Sequence, residues 1–299
     1  MVKFTLSKQV KEAINSKKPV LALESTIISS GMPYPQNIEF HKKAEQVCCD
    51  HGVVPATIAI IKGAVCVGLS VSQAKYIATN KKVEKISKRE IGICLQQKIS
   101  GATTVSSTSH IAHLVGIKVF STGGVGGVHR DYNNSLDMSQ DLFSLRETPL
   151  VVVCSGVKSF LDINKTVEAL ETLGVSLVGF QTKWFPSFYS SSSNIKLSHS
   201  VNNPIDVVNI YKSNIEHKIK SSLLVVNPVP KKQEIPASEI NKIISDSVVQ
   251  MKEKMIIGKN TTPFLLKEIA KQTKNRSLQT NIVLALNNIA LGSKIAKEL

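Results

Sequence analysis

The sequence predicts an α/β protein: a mainly parallel sheet covered by helices, with a further helical layer added at the C-terminal end. Apolar runs of strand length alternate with segments of helical period as far as Pro230, which is the pattern of strands joined by helical crossovers. Beyond Pro230 the periodicity is helical only. With 299 residues, 42% of them hydrophobic, the chain can bury a core of the size such a sheet needs.

The elements follow in order. The opening stretch MVKFTLSKQVKEAINSKK reads as an amphipathic polar helix. Strands are expected at 20–28, 53–61, 64–69, 117–121, 150–154, 175–180 and 223–226, where apolar and β-branched residues run together. Between them the helical period predicts helices at 36–50, 72–79, 104–114, 159–173 and 205–219. The C-terminal layer comprises helices at 237–255, 262–273 and 277–298. Residues 187–193, within FPSFYSSSSN, are a low-complexity patch expected to form a mobile surface loop. No repeat, long linker or composition shift divides the chain, so a single domain over 1–299 is expected.

Composition excludes several functional classes. No apolar run approaches the roughly 18 to 20 residues of a membrane span, and the N-terminal stretch lacks a signal-peptide core. A cytoplasmic protein without a membrane partner is the expectation. The five cysteines form no CxxC pair and read as buried free thiols. A net charge of +15 invites a nucleic-acid reading. Against it, the lysines are dispersed, with no aromatic interleaving and no recognised binding motif.

Chemistry-bearing residues gather where strands end, the edge at which open α/β sheets bind ligands. Glu24, in LALESTIISSG, falls within an apolar strand, where burial favours the neutral carboxyl group that a general acid requires. The glycines Gly123, Gly124, Gly126 and Gly127 allow close backbone approach to an anion, and His129 and Arg130 stand ready to add positive charge. Asp137 and Asp141, with Ser139 between them, offer hard oxygen ligands for Mg²⁺ or Mn²⁺. Lys158 follows a Ser-Gly turn at the expected entrance of a helix, where the positive dipole end disfavours an ammonium and favours the neutral amine of a nucleophile. Each feature has a structural alternative: a hydrogen-bonded carboxylate, a tight turn, a helix cap and a surface lysine.

The segments ALESTIISSGMPYPQN, PATIAIIKG, GATTVSST, FSTGGVGGVHR, LDMSQDL and CSGVKSFLD, with NPVP, IGKNTTPFLL and TNIVLALNN further on, closely resemble the pseudouridine-5′-phosphate glycosidases, or pseudouridylate synthases. The resemblance runs from about Lys18 to the last helix. It implies a three-layer α/β/α homotrimer. It also implies reversible splitting of pseudouridine 5′-phosphate into uracil and ribose 5-phosphate, in pseudouridine catabolism, with a divalent cation such as Mn²⁺. By the same resemblance Glu24 is the proton donor, Lys158 the nucleophile that forms a Schiff base, and Asp137 the metal-binding aspartate. Lys85, Val105, Ser139, Gln140 and Asp141 are substrate contacts. Because a phosphate dianion needs charge-assisted bonds, Lys85, with His129 or Arg130 added, is expected to hold it.

Departures from the family pattern are Ser30 in place of a histidine, Gln140 in place of a small residue, and KISKRE in place of a more Arg-rich run. No sugar-kinase domain is appended, so a separate kinase is expected to phosphorylate pseudouridine. Two alternatives remain at this stage: a Schiff-base lyase or aldolase for another phosphosugar, and a non-catalytic phosphosugar- or nucleic-acid-binding protein.

Overall fold

The computed structural model describes residues 4–256 and 258–299. Its strands, in chain order, are β1 (Phe4–Leu6), β2 (Val20–Leu23), β3 (Val54–Ile61), β4 (Ala64–Val67), β5 (Glu84–Ile86), β6 (Gly101–Thr103), β7 (Val119–Ser121), β8 (Val151–Cys154), β9 (Ser176–Phe180), β10 (Ser200–Val201) and β11 (Leu223–Val226). They join in the order β1-β4-β3-β2-β7-β8-β11-β9-β10, with β6 beside β3 and β5 beside β6. Only β3–β4 and β3–β6 are antiparallel among the pairs of described strands. The β3–β4 hairpin turns on Lys62 (φ 49°) and Gly63 (φ 76°), both left-handed, as the twist of a two-residue hairpin demands.

Every residue of β8 and β11 is buried, which explains their unbroken apolar text: both faces of these central strands meet helices. The C-terminal helix Arg276–Glu298 packs directly on β2, β7 and β8 and against the helices Gln36–Asp50 and Pro204–Glu216. The helix Val105–Leu114 packs on β2, β3, β6 and β7 and against Gln140–Glu147. The expected mainly parallel α/β sheet with flanking helices is therefore present, and one contiguous apolar core runs from Val10 to Ala296.

Several expected boundaries shift for physical reasons. The run at 20–28 is two elements: β2 stops at Leu23, and Thr26–Ser29 forms a short helix. Glu24 thus sits just beyond the strand end. The opening stretch is a strand, β1, followed by the helix Lys8–Asn15 with Ser7 as its cap; residues 1–3 lie outside the described residues. The helix expected at 159–173 begins only at Ile163, capped by Asp162, so Lys158 lies five positions before it and the dipole argument does not apply.

The Ser-rich patch is not a surface loop throughout. Phe188 and Tyr189 carry Ser187 and Ser190 into the interior, and the Ser190 hydroxyl donates to the Ile235 carbonyl at 2.6 Å. Of the five free cysteines, Cys49 is exposed and the other four are buried.

Candidate active site

The carboxyl ends of β2, β5, β6, β7 and β8 meet around a cavity of about 420 Å³. Glu24, directly after β2, opens onto it. Its carboxylate accepts the hydroxyls of Thr26 and Thr122, so that one oxygen is held from its own loop and the other from the end of β7. Those two hydroxyls orient the group.

Lys158 lines the same cavity from the loop after β8. The β7–β8 ladder continues past both strand ends. Thr122 N–H donates to Val153 (3.0 Å), Ser155 to Gly123 (2.9 Å), Val125 to Gly156 (3.0 Å) and Lys158 to Val125 (3.2 Å). This zipper fixes the lysine backbone relative to the glycine loop. At Gly156 (φ 81°) a Cβ would stand 2.3 Å from the Pro186 carbonyl oxygen, so only glycine fits.

The glycine loop is pinned by Asp141, 5% exposed. One carboxylate oxygen accepts the Gly126 N–H (2.9 Å) and the other the Ser106 N–H (3.0 Å) at the start of the Val105–Leu114 helix, where an acidic group is favoured. Asp137 lies outside the helix that carries Asp141, so the two carboxylates do not share one helical face. The helix starts at Gln140 and is capped by Ser139, whose hydroxyl oxygen accepts the Asp141 N–H at 3.2 Å. Gln140 is tied into the wall, its carbonyl oxygen accepting from Arg89 N–H (3.2 Å) and the Ser106 hydroxyl (3.3 Å).

Asp137 faces the cavity with His129 Nδ1 at 3.7 Å from its carboxylate. Burial pushes the imidazole pKa down; Asp137 opposes that shift, and Lys85 and Lys158 add to it. Lys85, in the middle of β5, is lowered by burial first and by neighbouring Lys158 second, against the pull of Asp141, Glu24 and Asp137. Among the described residues no three His, Cys, Asp or Glu side chains gather as a closed metal cage. Hard divalent cations are commonly held by one or two carboxylates, with water and substrate oxygens completing the shell. Asp137 beside His129 suits that open mode.

Of the sequence-predicted residues, Glu24, Lys85, Val105, His129, Asp137, Ser139, Gln140, Asp141 and Lys158 all line this cavity. Arg130 does not; its guanidinium points away and donates to the Ser159 carbonyl at 3.2 Å. Missing from the sequence reading were Thr26 and Thr122, which clamp Glu24, and Arg89, Phe188 and Asn281 in the wall. Thr26 and Thr122 closely follow strand ends and Asn281 lies in TNIVLALNN, whereas Arg89 and Phe188 carried no comparable signal. Asn281 comes from the C-terminal layer, and no sequence pattern linked it to the sheet edge.

A cavity at the carboxyl edge of a mainly parallel sheet, holding an enclosed glutamate, two lysines and an open carboxylate, marks an α/β enzyme for a small-molecule substrate. The chain belongs to the family described as indigoidine synthase A like protein, which matches residues 9–298. A pseudouridine-5′-phosphate glycosidase of Clostridium botulinum is 46% identical over 295 residues, 98% of this chain and 96% of that protein. One from Caldanaerobacter subterraneus subsp. tengcongensis is 43% identical over 294 residues, again 98% and 96%. Among solved structures, an indigoidine synthase A-like protein of Thermotoga maritima superposes with a TM-score of 0.90 at 35% identity, covering 98% of this chain and 96% of that one. A prealnumycin C-glycosynthase in complex with ribulose 5-phosphate gives 0.91 at 30% identity, with 99% and 96% covered.

Proposed function

We propose that this enzyme reversibly cleaves the carbon–carbon glycosidic bond of pseudouridine 5′-phosphate, giving uracil and ribose 5-phosphate. The observation that carries the reading is the placement of Glu24 and Lys158 on one cavity, in a chain similar over nearly its whole length to glycosidases of that name. A carbon leaving group cannot be released by protonating a glycosidic nitrogen, so the sugar carbon needs an electron sink.

The residues supply one. Glu24 gives its proton to the ribose ring oxygen as the bond from that oxygen to carbon 1 breaks. The Lys158 amine bonds to carbon 1 and loses a proton. Carbon 5 of uracil then takes up a proton. The carbon–carbon bonding pair returns to the pyrimidine ring, while the lysine nitrogen lone pair forms the iminium with carbon 1. Water adds to the iminium, and expulsion of the amine releases ribose 5-phosphate. Lys85, which lines the same cavity as the glycine loop, would anchor the phosphate dianion through charge-assisted bonds. Asp137, with His129 beside it, would hold a divalent cation such as Mn²⁺, which when bound supplies positive charge to substrate oxygens. A homotrimeric assembly and a cytoplasmic location belong to the same proposal; no described helix is long and apolar enough to cross a membrane.

Uracil release from pseudouridine 5′-phosphate, followed by absorbance, tests the reading. Turnover is expected with Mn²⁺, and loss is expected on chelation or in Asp137→Ala. A Schiff-base lyase for another phosphosugar would instead leave pseudouridine 5′-phosphate intact. Full turnover in chelated buffer would remove the metal from the mechanism.

A further inference from the structure

Asn288, on the C-terminal helix, is completely buried, and nothing in the reaction scheme uses it. Its amide nitrogen donates to the carbonyls of Thr122 (2.9 Å) and Gly123 (3.3 Å) and reaches the Ser155 hydroxyl at 3.0 Å. Its amide oxygen accepts from the Asn227 amide (3.0 Å) and from the Ser155 hydroxyl (3.3 Å). One side chain therefore joins the carboxyl ends of β7, β8 and β11, at the point where these strands leave the sheet.

Two of the joined ends carry the reacting groups. Thr122 donates its hydroxyl to Glu24, and Ser155 begins the loop that delivers Lys158. We propose that Asn288 is a positioning residue that fixes the Glu24 carboxyl group relative to the Lys158 amine across the cavity. The inference rests on the reading of those two residues as acid and nucleophile. That reading also says why the spacing matters: the ring oxygen and carbon 1 are bonded neighbours, so proton donor and amine must converge on adjacent atoms. A misplacement of about 1 Å can cost on the order of 100-fold in rate. Asn281, two helical turns earlier, lines the cavity, so the same helix sets the wall and the clamp.

The test compares Asn288→Ala with a core truncation outside the cavity, Ile244→Ala, at a temperature where circular dichroism shows both fully folded. Asn288→Ala is expected to lose about 100-fold in kcat, with KM for pseudouridine 5′-phosphate within about threefold of wild type. Ile244→Ala, although destabilised, is expected to keep its kcat. Should Asn288→Ala fail to fold, Asn288→Ser, which keeps one hydroxyl donor, is measured in the same way. An unchanged kcat in a folded Asn288 variant, a loss confined to KM, or an equal kcat loss in Ile244→Ala overturns the inference and leaves the reaction standing. A wild-type protein without turnover removes the reaction, and the inference with it.

Discussion

Glu24 is held from both sides, one carboxylate oxygen accepting the Thr26 hydroxyl and the other the Thr122 hydroxyl, which fixes where the group points into the cavity. A shifted titration is expected at His41, 6% exposed on the Gln36–Asp50 helix with its Nε2 3.5 Å from the Glu45 carboxylate. Burial pushes its pKa down from 6.5 to about 4. The unfolded chain therefore takes up this proton before the folded one does. The stability His41 contributes is complete above pH 6.5 and is lost as pH falls toward about 4. The loss is on the order of 3 kcal/mol. Glu45, raised by burial, works in the opposite direction at the acid end of that window. Thermal melts of wild type and His41→Asn between pH 7 and 5 check this: the variant should show a flatter fall in Tm, and parallel curves would contradict it.

The loop from Cys154 to Lys158 is the element on which the geometry turns. Replacing Gly156 with alanine puts a methyl group against the Pro186 carbonyl and forces an alanine into φ 81°. Overpacking and the left-handed penalty together predict a loss of about 3 kcal/mol. Denaturant unfolding of Gly156→Ala measures it, and a midpoint equal to wild type would show that the backbone relaxes freely there. Elements buried on both faces, such as β8 and β11, were legible because an unbroken apolar run of strand length is stable only where both faces are covered. β5 and β6 were not, since three residues containing Lys85 or Gly101 carry no period. The break after Leu23 was hidden because Thr26–Ser29 is as apolar and β-branched as a strand. The buried Ser190 defeats a compositional reading, because a hydroxyl bonded to a backbone carbonyl is as admissible in the interior as an apolar group.

Across the whole molecule, most of the +15 charge lies away from the cavity, where Lys85, Arg89 and Lys158 face Glu24, Glu90, Asp137 and Asp141. Mixed signs suit a small substrate carrying both phosphate and polar groups, and not a nucleic-acid track. Nine of the ten site residues named from sequence converge there because motifs at strand ends are local text. The clamp by Asn288 and the wall at Asn281, both more than 120 residues downstream of Lys158, depend on the C-terminal helix folding back on the sheet, which local text does not specify. The proposed reaction turns on a covalent bond between Lys158 and the sugar. Borohydride added with ribose 5-phosphate, followed by peptide mass spectrometry, tests it directly. One reduced pentose phosphate on the peptide containing Lys158 is expected, absent in Lys158→Ala, with none on Lys85 or on exposed Lys183. An enzyme that turns over pseudouridine 5′-phosphate yet yields no adduct, or carries it on Lys85, would show that Lys158 is not the nucleophile.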